Sequence, residues 1–283
     1  MISMKAYAKV NLFINVLNKR EDGYHLLEMV NAKVDLYDQI TVSENPTPGM
    51  VLIKSNDMFL SSQNNIVVDV AQDMMHRYVE GKGVTIEIDK KIPFGAGLAG
   101  NSTDAATIVK AINELFGIGL TKDEMIRFTL PYGADIPYCL SNDLAFVEGI
   151  GEKITPIDLS LKEKQILLVN PKIFTSTKEI FDAGDKHGFD NVSSSLIRKA
   201  IEEKNTEEFI LNMHNALQKV SIEFHPEIKE LYEIMNSHLS SKGLVMTGSG
   251  STFIYITDKN DLRLKKFIDE YSKKYFINIY NFL

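Results

Sequence analysis

Alternating apolar and polar positions dominate the start of the chain and predict a long strand there. Val10, Leu12, Ile14 and Val16 alternate with more polar neighbours. Successive side chains of a strand point to opposite faces, so these residues form one apolar face. Lys9 and Asn11 then share the other face. A second alternating run, Val30–Leu36, predicts a further strand of the same kind.

The middle of the chain predicts a strand, a glycine-rich loop and a helix in that order. Val84, Ile86 and Ile88 alternate with polar residues, and the segment KIPFGAGLAGNSTDAA follows at residues 91–106. Apolar residues then recur at helical spacing up to Phe116. Asn101 or Ser102 is the predicted N-cap of that helix.

The remaining pattern predicts an α+β chain of two domains, 1–157 and 158–283, with the boundary in a polar, irregular stretch. Thr121 and Glu124 have the spacing of a capping box. The predicted helices are 65–78, a helix from 121 to near Pro131, 177–182, 194–203, 207–220, 226–239 and 261–274. Further predicted strands are 51–54, 166–169, 244–246, 252–256 and 276–280.

The glycine loop is a candidate phosphate cradle. Gly95, Gly97 and Gly100 lie within six residues, and backbone without β-carbons can curl around an anion with its N–H groups inward. A helix N-terminus directly behind adds N–H donors and a positive dipole end. The segment has no Gly-Lys-Ser/Thr and no βαβ unit with an acidic ribose ligand. A tight strand-to-helix turn accounts equally well for the glycine spacing.

Composition and charge narrow the function classes. The 283 residues carry a net charge of −7, which argues against nucleic-acid or anionic-membrane partners. Lys90 and Lys91 form either a local phosphate-binding cluster or a solvated strand end. The single cysteine, Cys139, excludes a disulfide framework and is expected to be buried. With neither a signal-peptide core nor a long apolar run, we expect a cytoplasmic protein.

Several polar residues outside the loop are candidates for chemistry, and each has a plain alternative. Lys9 is either a functional ammonium or an exposed edge lysine. Asp135 is either a functional carboxylate or a helix cap. Tyr24 and His25 are a flat-ligand clamp or a surface pair, and Gly248–Gly250 is a second cradle or a tight turn.

The order of these motifs along the chain resembles the GHMP kinases. The motifs are Ala8-Lys9-Val10-Asn11-Leu12, Asp22-Gly23-Tyr24-His25, the Pro93–Thr103 segment, Gly133-Ala134-Asp135-Ile136-Pro137, Gly149-Ile150-Gly151-Glu152 and the late Gly-Ser-Gly. Within the superfamily they are similar to the kinases that phosphorylate 4-diphosphocytidyl-2-C-methyl-D-erythritol. The resemblance covers about residues 5 to 257.

The resemblance implies a two-domain GHMP-kinase fold, with an N-terminal α/β nucleotide-binding domain and a C-terminal α+β (ferredoxin-like) domain. It also implies transfer of the γ-phosphoryl group of ATP to the C2 hydroxyl of the substrate. Asp135 would accept the hydroxyl proton, and Lys9 would polarise that hydroxyl. The implied ATP-binding residues are Asn65, Pro93, Gly95, Ala96, Gly97, Leu98, Ala99, Gly100, Asn101, Ser102 and Thr103. The implied substrate-binding residues are Asn11, Tyr24, His25, Thr177, Phe181, Gly248, Ser249 and Gly250.

Mg²⁺ is expected to accompany ATP, with Ser102 as a candidate ligand. The partner is then a small cytidine diphosphate-linked alcohol, and we expect a monomer or weak homodimer. Ala99 and Asn101 stand where the family commonly has glycine; asparagine tolerates left-handed backbone better than alanine does. Two alternatives stay open: a mevalonate- or homoserine-type GHMP kinase, and a catalytically weak nucleotide-binding relative.

Overall fold

The computed structural model describes residues 1–56, 65–141 and 143–283. The strands are β1 (Ile2–Lys19), β2 (His25–Asn45), β3 (Val51–Ser55), β4 (Gly83–Asp89), β5 (Ala145–Gly149), β6 (Lys153–Pro156), β7 (Lys164–Asn170), β8 (His214–Asn215), β9 (Leu244–Met246), β10 (Phe253–Asp258) and β11 (Phe276–Asn281). The helices are α1 (Ile66–Tyr78), α2 (Gly100–Leu115), α3 (Lys122–Thr129), α4 (Ile136–Cys139), α5 (Thr177–His187), α6 (Ser195–Glu202), α7 (Thr206–Leu211), α8 (Gln218–Phe224), α9 (Pro226–His238) and α10 (Leu262–Tyr271).

These elements form two compact units that interleave along the chain. The first comprises the described residues of Met1–Lys9, Leu36–Pro93 and Ala99–Asn142. The second comprises Val10–Asp35, Phe94–Leu98 and Asp143–Leu283. Strands β1 and β2 and the glycine loop therefore contribute residues to both units. The predicted α+β class is confirmed, whereas the predicted domain boundary at residues 157 and 158 stays a prediction.

The first unit is built on the second half of β2, which pairs antiparallel with β4, and on β3, which pairs parallel with β4. Strand β4 shows the predicted alternation, with Val84, Ile86 and Ile88 buried. Helices α1 and α2 pack on each other. The predicted capping box is confirmed: the Thr121 hydroxyl accepts from the Glu124 N–H, and the Glu124 carboxylate accepts from the Thr121 N–H.

The second unit contains an antiparallel sheet in the order β11-β7-β10-β9. Residues of β7 are fully buried, and α5, α8, α9 and α10 contribute apolar side chains to the same core. The first half of β2 pairs with β5, β5 pairs with β6, and β8 pairs in parallel with β1. No helix in the described ranges has the length and apolar character needed to cross a membrane.

The predicted single helix over 207–220 is wrong. The structure has α7, then the short strand β8, then α8. The Asn215 amide group donates to the carbonyl oxygens of Met246 (2.6 Å) and Gly248 (2.8 Å), so tertiary hydrogen bonds replace helical ones at this position. Strands β5 and β6 were not predicted, because five and four residues carry little periodic signal.

Candidate active site

The Lys9 ammonium and the Asp135 carboxylate form an ion pair within the first unit. Lys9 Nζ lies 2.9 Å from Asp135 Oδ1. The lysine side chain is 3% exposed and the aspartate side chain 40% exposed. A buried ammonium needs a carboxylate partner, and this partner also reaches solvent. The pair therefore presents a carboxylate to small molecules with a positive charge fixed behind it.

The local backbone explains how Asp135 reaches Lys9. Asp135 occupies the N-cap position of α4, but its side chain accepts no hydrogen bond from that helix. The cap alternative is therefore not what the structure contains. A β-carbon at Gly133, two residues earlier, would lie 3.2 Å from Ile66 Cδ1, so a larger side chain there would require the Ile66 side chain to shift.

The start of α2 provides a set of backbone N–H groups at the end of the glycine loop. Helix α2 begins at Gly100, and the partly exposed Asn101 and Ser102 form its first turn. The prediction that Asn101 or Ser102 caps this helix is wrong. The N-cap is Ala99, which adopts the left-handed conformation (φ 54°, ψ 35°) and makes no side-chain cap bond.

In the second unit, Gly97 lies against the late glycine segment at backbone distance. A β-carbon at Gly97 (φ 73°) would lie 2.4 Å from the Thr247 carbonyl oxygen and 2.8 Å from that of Gly250. The Thr252 hydroxyl donates to the Ala96 carbonyl (2.6 Å). Residues 247–252 thus support the residues preceding Leu98, and only glycine fits at position 97.

Asn11 and Thr177 are each held by a neighbouring side chain. Asn11 is 1% exposed; its amide donates to Asn31 Oδ1 (2.7 Å), and its backbone N–H donates to the Thr247 hydroxyl (2.8 Å). The hydroxyls of Thr177 and Ser249 lie 3.0 Å apart. The structure therefore brings Thr177 to the late glycine segment, whereas its predicted role in substrate binding stays a prediction.

His25, Phe181 and Phe189 form an aromatic cluster in the second unit. The His25 ring stacks on Phe181 with centroids 4.8 Å apart, and its Nε2 lies 2.7 Å from Asp185 Oδ1. Tyr24 is 56% exposed. The Lys19 ammonium, 2.5 Å from Asp185 Oδ2, and secondly His25 lower the pKa of the Asp185 carboxyl. Sequence reasoning missed Asp185, since an aspartate on a helix carries no signal of its own.

A buried charged cluster lies beneath the start of α2. Lys90 Nζ lies 2.5 Å from Asp38 Oδ2 and 2.6 Å from Asp104 Oδ2, and both carboxylates are fully buried. Burial raises the pKa of Asp104 to about 7 against the opposing charge of Lys90. Asp104 Oδ1 has no hydrogen-bond partner within the described part of the chain. Lys91, by contrast, is a solvated lysine with a 52% exposed side chain.

Asn65 and Cys139, two further residues considered in the sequence analysis, have structural positions. Asn65 caps α1, because its Oδ1 accepts from the Val67 N–H (3.0 Å), and it is 7% exposed. Cys139 is buried, as predicted. Across the described ranges, no group of three or more His, Cys, Asp and Glu side chains could hold a metal ion.

Family models match both halves of the chain. The GHMP kinases N terminal domain matches residues 65–143, and the GHMP kinases C terminal domain matches residues 197–277. Relatives named 4-diphosphocytidyl-2-C-methyl-D-erythritol kinase include those of Caldicellulosiruptor saccharolyticus (37% identity, 94% of each chain) and Clostridium beijerinckii (37% identity, 97% of each chain).

Solved structures share the fold. A crystal structure of 4-(cytidine 5'-diphospho)-2C-methyl-D-erythritol kinase covers 99% of both chains with 24% identity and a TM-score of 0.77. The L. major mevalonate kinase in complex with R-mevalonate covers 100% of this chain and 96% of its own, with 15% identity and the same TM-score of 0.77.

Ala99 and Asn101 should respond oppositely to replacement by glycine. In Ala99→Gly, relief of left-handed strain of about 1–2 kcal/mol outweighs a chain-entropy cost of about 0.4–1 kcal/mol, so the melting temperature should rise slightly. In Asn101→Gly, a helical position loses stability and the melting temperature should fall. Thermal unfolding of both variants tests this. A lower melting temperature for Ala99→Gly would contradict the strain at Ala99.

The raised pKa of Asp104 predicts a pH-dependent stability difference. The native carboxyl binds its proton more tightly than the unfolded one, whose pKa is near 3.8. Its contribution to stability is therefore full below pH 4 and is lost as the pH rises to about 7. The melting temperature of Asp104→Asn minus that of wild type should be larger at about pH 8 than at about pH 5. Equal differences at the two pH values would refute the shift.

Proposed function

The chain belongs to the GHMP kinases and, within them, to the 4-diphosphocytidyl-2-C-methyl-D-erythritol kinase family, and we propose that it transfers the γ-phosphoryl group of ATP to the C2 hydroxyl of 4-diphosphocytidyl-2-C-methyl-D-erythritol. The products are the 2-phosphate and ADP, in the non-mevalonate route to isoprenoid precursors. The observation that carries the proposal is the Lys9–Asp135 pair, at 2.9 Å, in a chain 37% identical to kinases of that name.

The pair supplies the two groups that a hydroxyl nucleophile needs. Asp135 accepts the hydroxyl proton while the oxygen forms its bond to the γ-phosphorus. The bond from the γ-phosphorus to the bridging oxygen breaks, and ADP leaves with that oxygen. Lys9, whose ammonium lies 2.9 Å from the Asp135 carboxylate, stabilises the negative charge that develops on the hydroxyl oxygen.

The nucleotide is bound by the residues around the glycine loop. The N–H groups at the start of α2 and the Gly95–Thr103 backbone suit the negative charges of a triphosphate. Only glycine fits at position 97, which is consistent with a backbone that must follow a fixed path. Asn65 is assigned to the adenine side, on the family pattern, and Pro93 is a further ATP-binding residue. The negative charge of the triphosphate is then stabilised by N–H dipoles and not by Lys91, whose side chain is solvated.

Mg²⁺ fits this site through phosphate oxygens and few protein ligands. Such ions commonly use one or two protein oxygens and keep several waters, so no cluster of protein carboxylates is required. The Ser102 hydroxyl, a hard oxygen donor in the partly exposed first turn of α2, is the proposed ligand. When bound, Mg²⁺ neutralises phosphate charge.

The cytidine end of the substrate is assigned to the aromatic cluster around His25. Tyr24 and Phe181 stack on the cytosine, and His25, oriented by Asp185, hydrogen-bonds its edge. Phe181 stacks on His25 in this structure, so cytosine entry requires Phe181 and Tyr24 to take up positions on either side of the base. Thr177, Asn11 and Gly248–Gly250 complete the substrate-binding residues.

The competing functions differ in the acceptor. Mevalonate and homoserine kinases share the fold, so fold likeness alone does not separate the acceptors. The Asp22-Gly23-Tyr24-His25 motif and the aromatic cluster favour a cytidine substrate. We further propose that the protein is cytoplasmic, that it is a monomer or weak homodimer, and that its partners are small molecules.

A panel of alcohols with ATP and Mg²⁺ tests the function directly. Wild type should consume ATP with 4-diphosphocytidyl-2-C-methyl-D-erythritol and not with mevalonate or homoserine, measured by ADP release. Turnover of either of the last two without turnover of the first would refute the acceptor assignment.

Asp135→Asn is the matched control for that assay. It should lower kcat by about two to four orders of magnitude, because the base is removed while shape is kept. Binding of the cytidyl substrate should remain within about threefold of wild type, measured by calorimetry. A wild type that binds both ligands without turnover would instead identify a nucleotide-binding relative, and normal turnover in the variant would exclude Asp135 as the base.

The cytosine clamp predicts a selective effect at Tyr24. Tyr24→Ala should lose about 1–3 kcal/mol of stacking, which corresponds to about a 5- to 150-fold higher KM for the cytidyl substrate. Tyr24→Phe keeps the ring and should keep the KM, and neither variant should alter the KM for ATP. Steady-state kinetics measure both constants. A wild-type KM in Tyr24→Ala would mean that Tyr24 does not stack on the base.

A further inference from the structure

Lys90 occupies an unusual position for a lysine next to an exposed loop. Its side chain is 7% exposed and its ammonium lies between two fully buried carboxylates, Asp38 and Asp104. The adjacent Lys91 has a 52% exposed side chain and lies 3.8 Å from Asp89. Burial of an ammonium is costly without close partners, so the Lys90 position is maintained by both carboxylates.

The two carboxylates belong to different elements of the first unit. Asp38 lies on β2, and its Oδ1 accepts from the backbone N–H groups of Lys91 (2.5 Å) and Ile92 (2.8 Å). The chain that leaves β4 is therefore fixed by Asp38. Asp104 lies near the start of α2. Lys90 consequently joins the exit of β4 to the beginning of α2.

The start of α2 lies directly on this cluster. A β-carbon at Gly100 would be 3.2 Å from Ile92 Cγ2 and 3.4 Å from Lys90 Nζ. The same turn has a second tether, because the Thr103 hydroxyl donates to the Tyr7 carbonyl on β1 (2.7 Å). Two buried side-chain contacts thus fix the turn whose N–H groups are available for phosphate.

We propose that Lys90 is a positioning residue for the nucleotide: held by Asp38 and Asp104, it fixes the first turn of α2 so that its N–H groups bind the triphosphate. This inference rests on the proposed function, since it assigns Lys90 to the ATP side of that reaction. Lys90 itself does not bind phosphate, because both close partners of its ammonium are carboxylates. An anion site made of N–H dipoles depends on fixed geometry, which is what such a tether supplies.

The charges of the cluster indicate that Lys90 holds the backbone in position and does not attract the nucleotide by a net positive charge. One ammonium faces two carboxylates, and the raised pKa of Asp104 reduces the excess negative charge near neutral pH. Lys90 and Asp38 are the charged groups that act on Asp104. The positive charge of Lys90 is therefore balanced locally, and its effect on nucleotide binding comes through position.

The test compares Lys90→Met with Lys91→Met in the full chain. Calorimetry measures the Kd for a non-hydrolysable ATP analogue with Mg²⁺ and, separately, for 4-diphosphocytidyl-2-C-methyl-D-erythritol. Lys90→Met should weaken the ATP analogue by about tenfold or more and leave the acceptor within about twofold, because only the nucleotide N–H groups lose their geometry. Lys91→Met should change neither constant. Equal weakening of both ligands would indicate general damage and overturn the proposal.

Two further variants, of which the double variant is charge-balanced, cover the case in which Lys90→Met does not fold. Asp104→Asn keeps an oxygen that accepts from Lys90 and should retain the wild-type Kd for the nucleotide within about threefold. Lys90→Met combined with Asp104→Asn removes one charge of each sign and should weaken the analogue as Lys90→Met does. A folded double variant with wild-type nucleotide affinity overturns the role of Lys90. A wild type that binds no nucleotide would refute the proposed function itself, and with it this role.

Discussion

A lysine ammonium that is taken out of water needs a carboxylate within hydrogen-bond distance, and this requirement organises the first unit. Lys9 and Lys90 are both almost completely buried, and each is paired at 3 Å or less. Removing one partner of a buried pair commonly destabilises a protein by about 3–5 kcal/mol, because the other charge is left without compensation. The positions of β1, β4, α2 and the segment before α4 are therefore linked through two ammonium groups.

The carboxylate partners of the two lysines differ in solvent exposure. This difference distinguishes a pair that can contact a ligand from a cluster that can only hold the backbone. Asp135 is 40% exposed and can contact a ligand, whereas Asp38 and Asp104 are fully buried and cannot. The exposed partner of Lys9 is suited to proton transfer. The buried partners of Lys90 are suited to fixing backbone. One residue type, in one unit, is thus suited to both purposes according to the exposure of its partner.

Much of the fold and part of the site could be predicted from sequence because the signals are local. Alternation revealed β1 and β4, and a capping box marked α3. The break at Asn215 could not be predicted, because its amide bonds to carbonyls about thirty residues away in sequence. Lys90 and Lys91 look equivalent in the sequence, and only the tertiary positions of Asp38 and Asp104 distinguish them. The motif order identified Lys9 and Asp135 together, although neither residue alone was more than an ambiguous charge.

Strand β1 is buried on both faces from Ala8 to Val16. Most strands with one solvated face tolerate a shift of two residues better than a shift of one, since alternate faces differ. In β1 both faces are buried, so a shift of one or of two residues would move Lys9 and Asn11 to other buried positions. Their present partners would then be lost. The register of β1 therefore fixes the positions of Lys9 and Asn11. Insertions and deletions belong elsewhere in this chain, such as the solvent-exposed turn at residues 46–50 between β2 and β3, and a circular permutation that opens β1 would lose the spacing that the strand imposes.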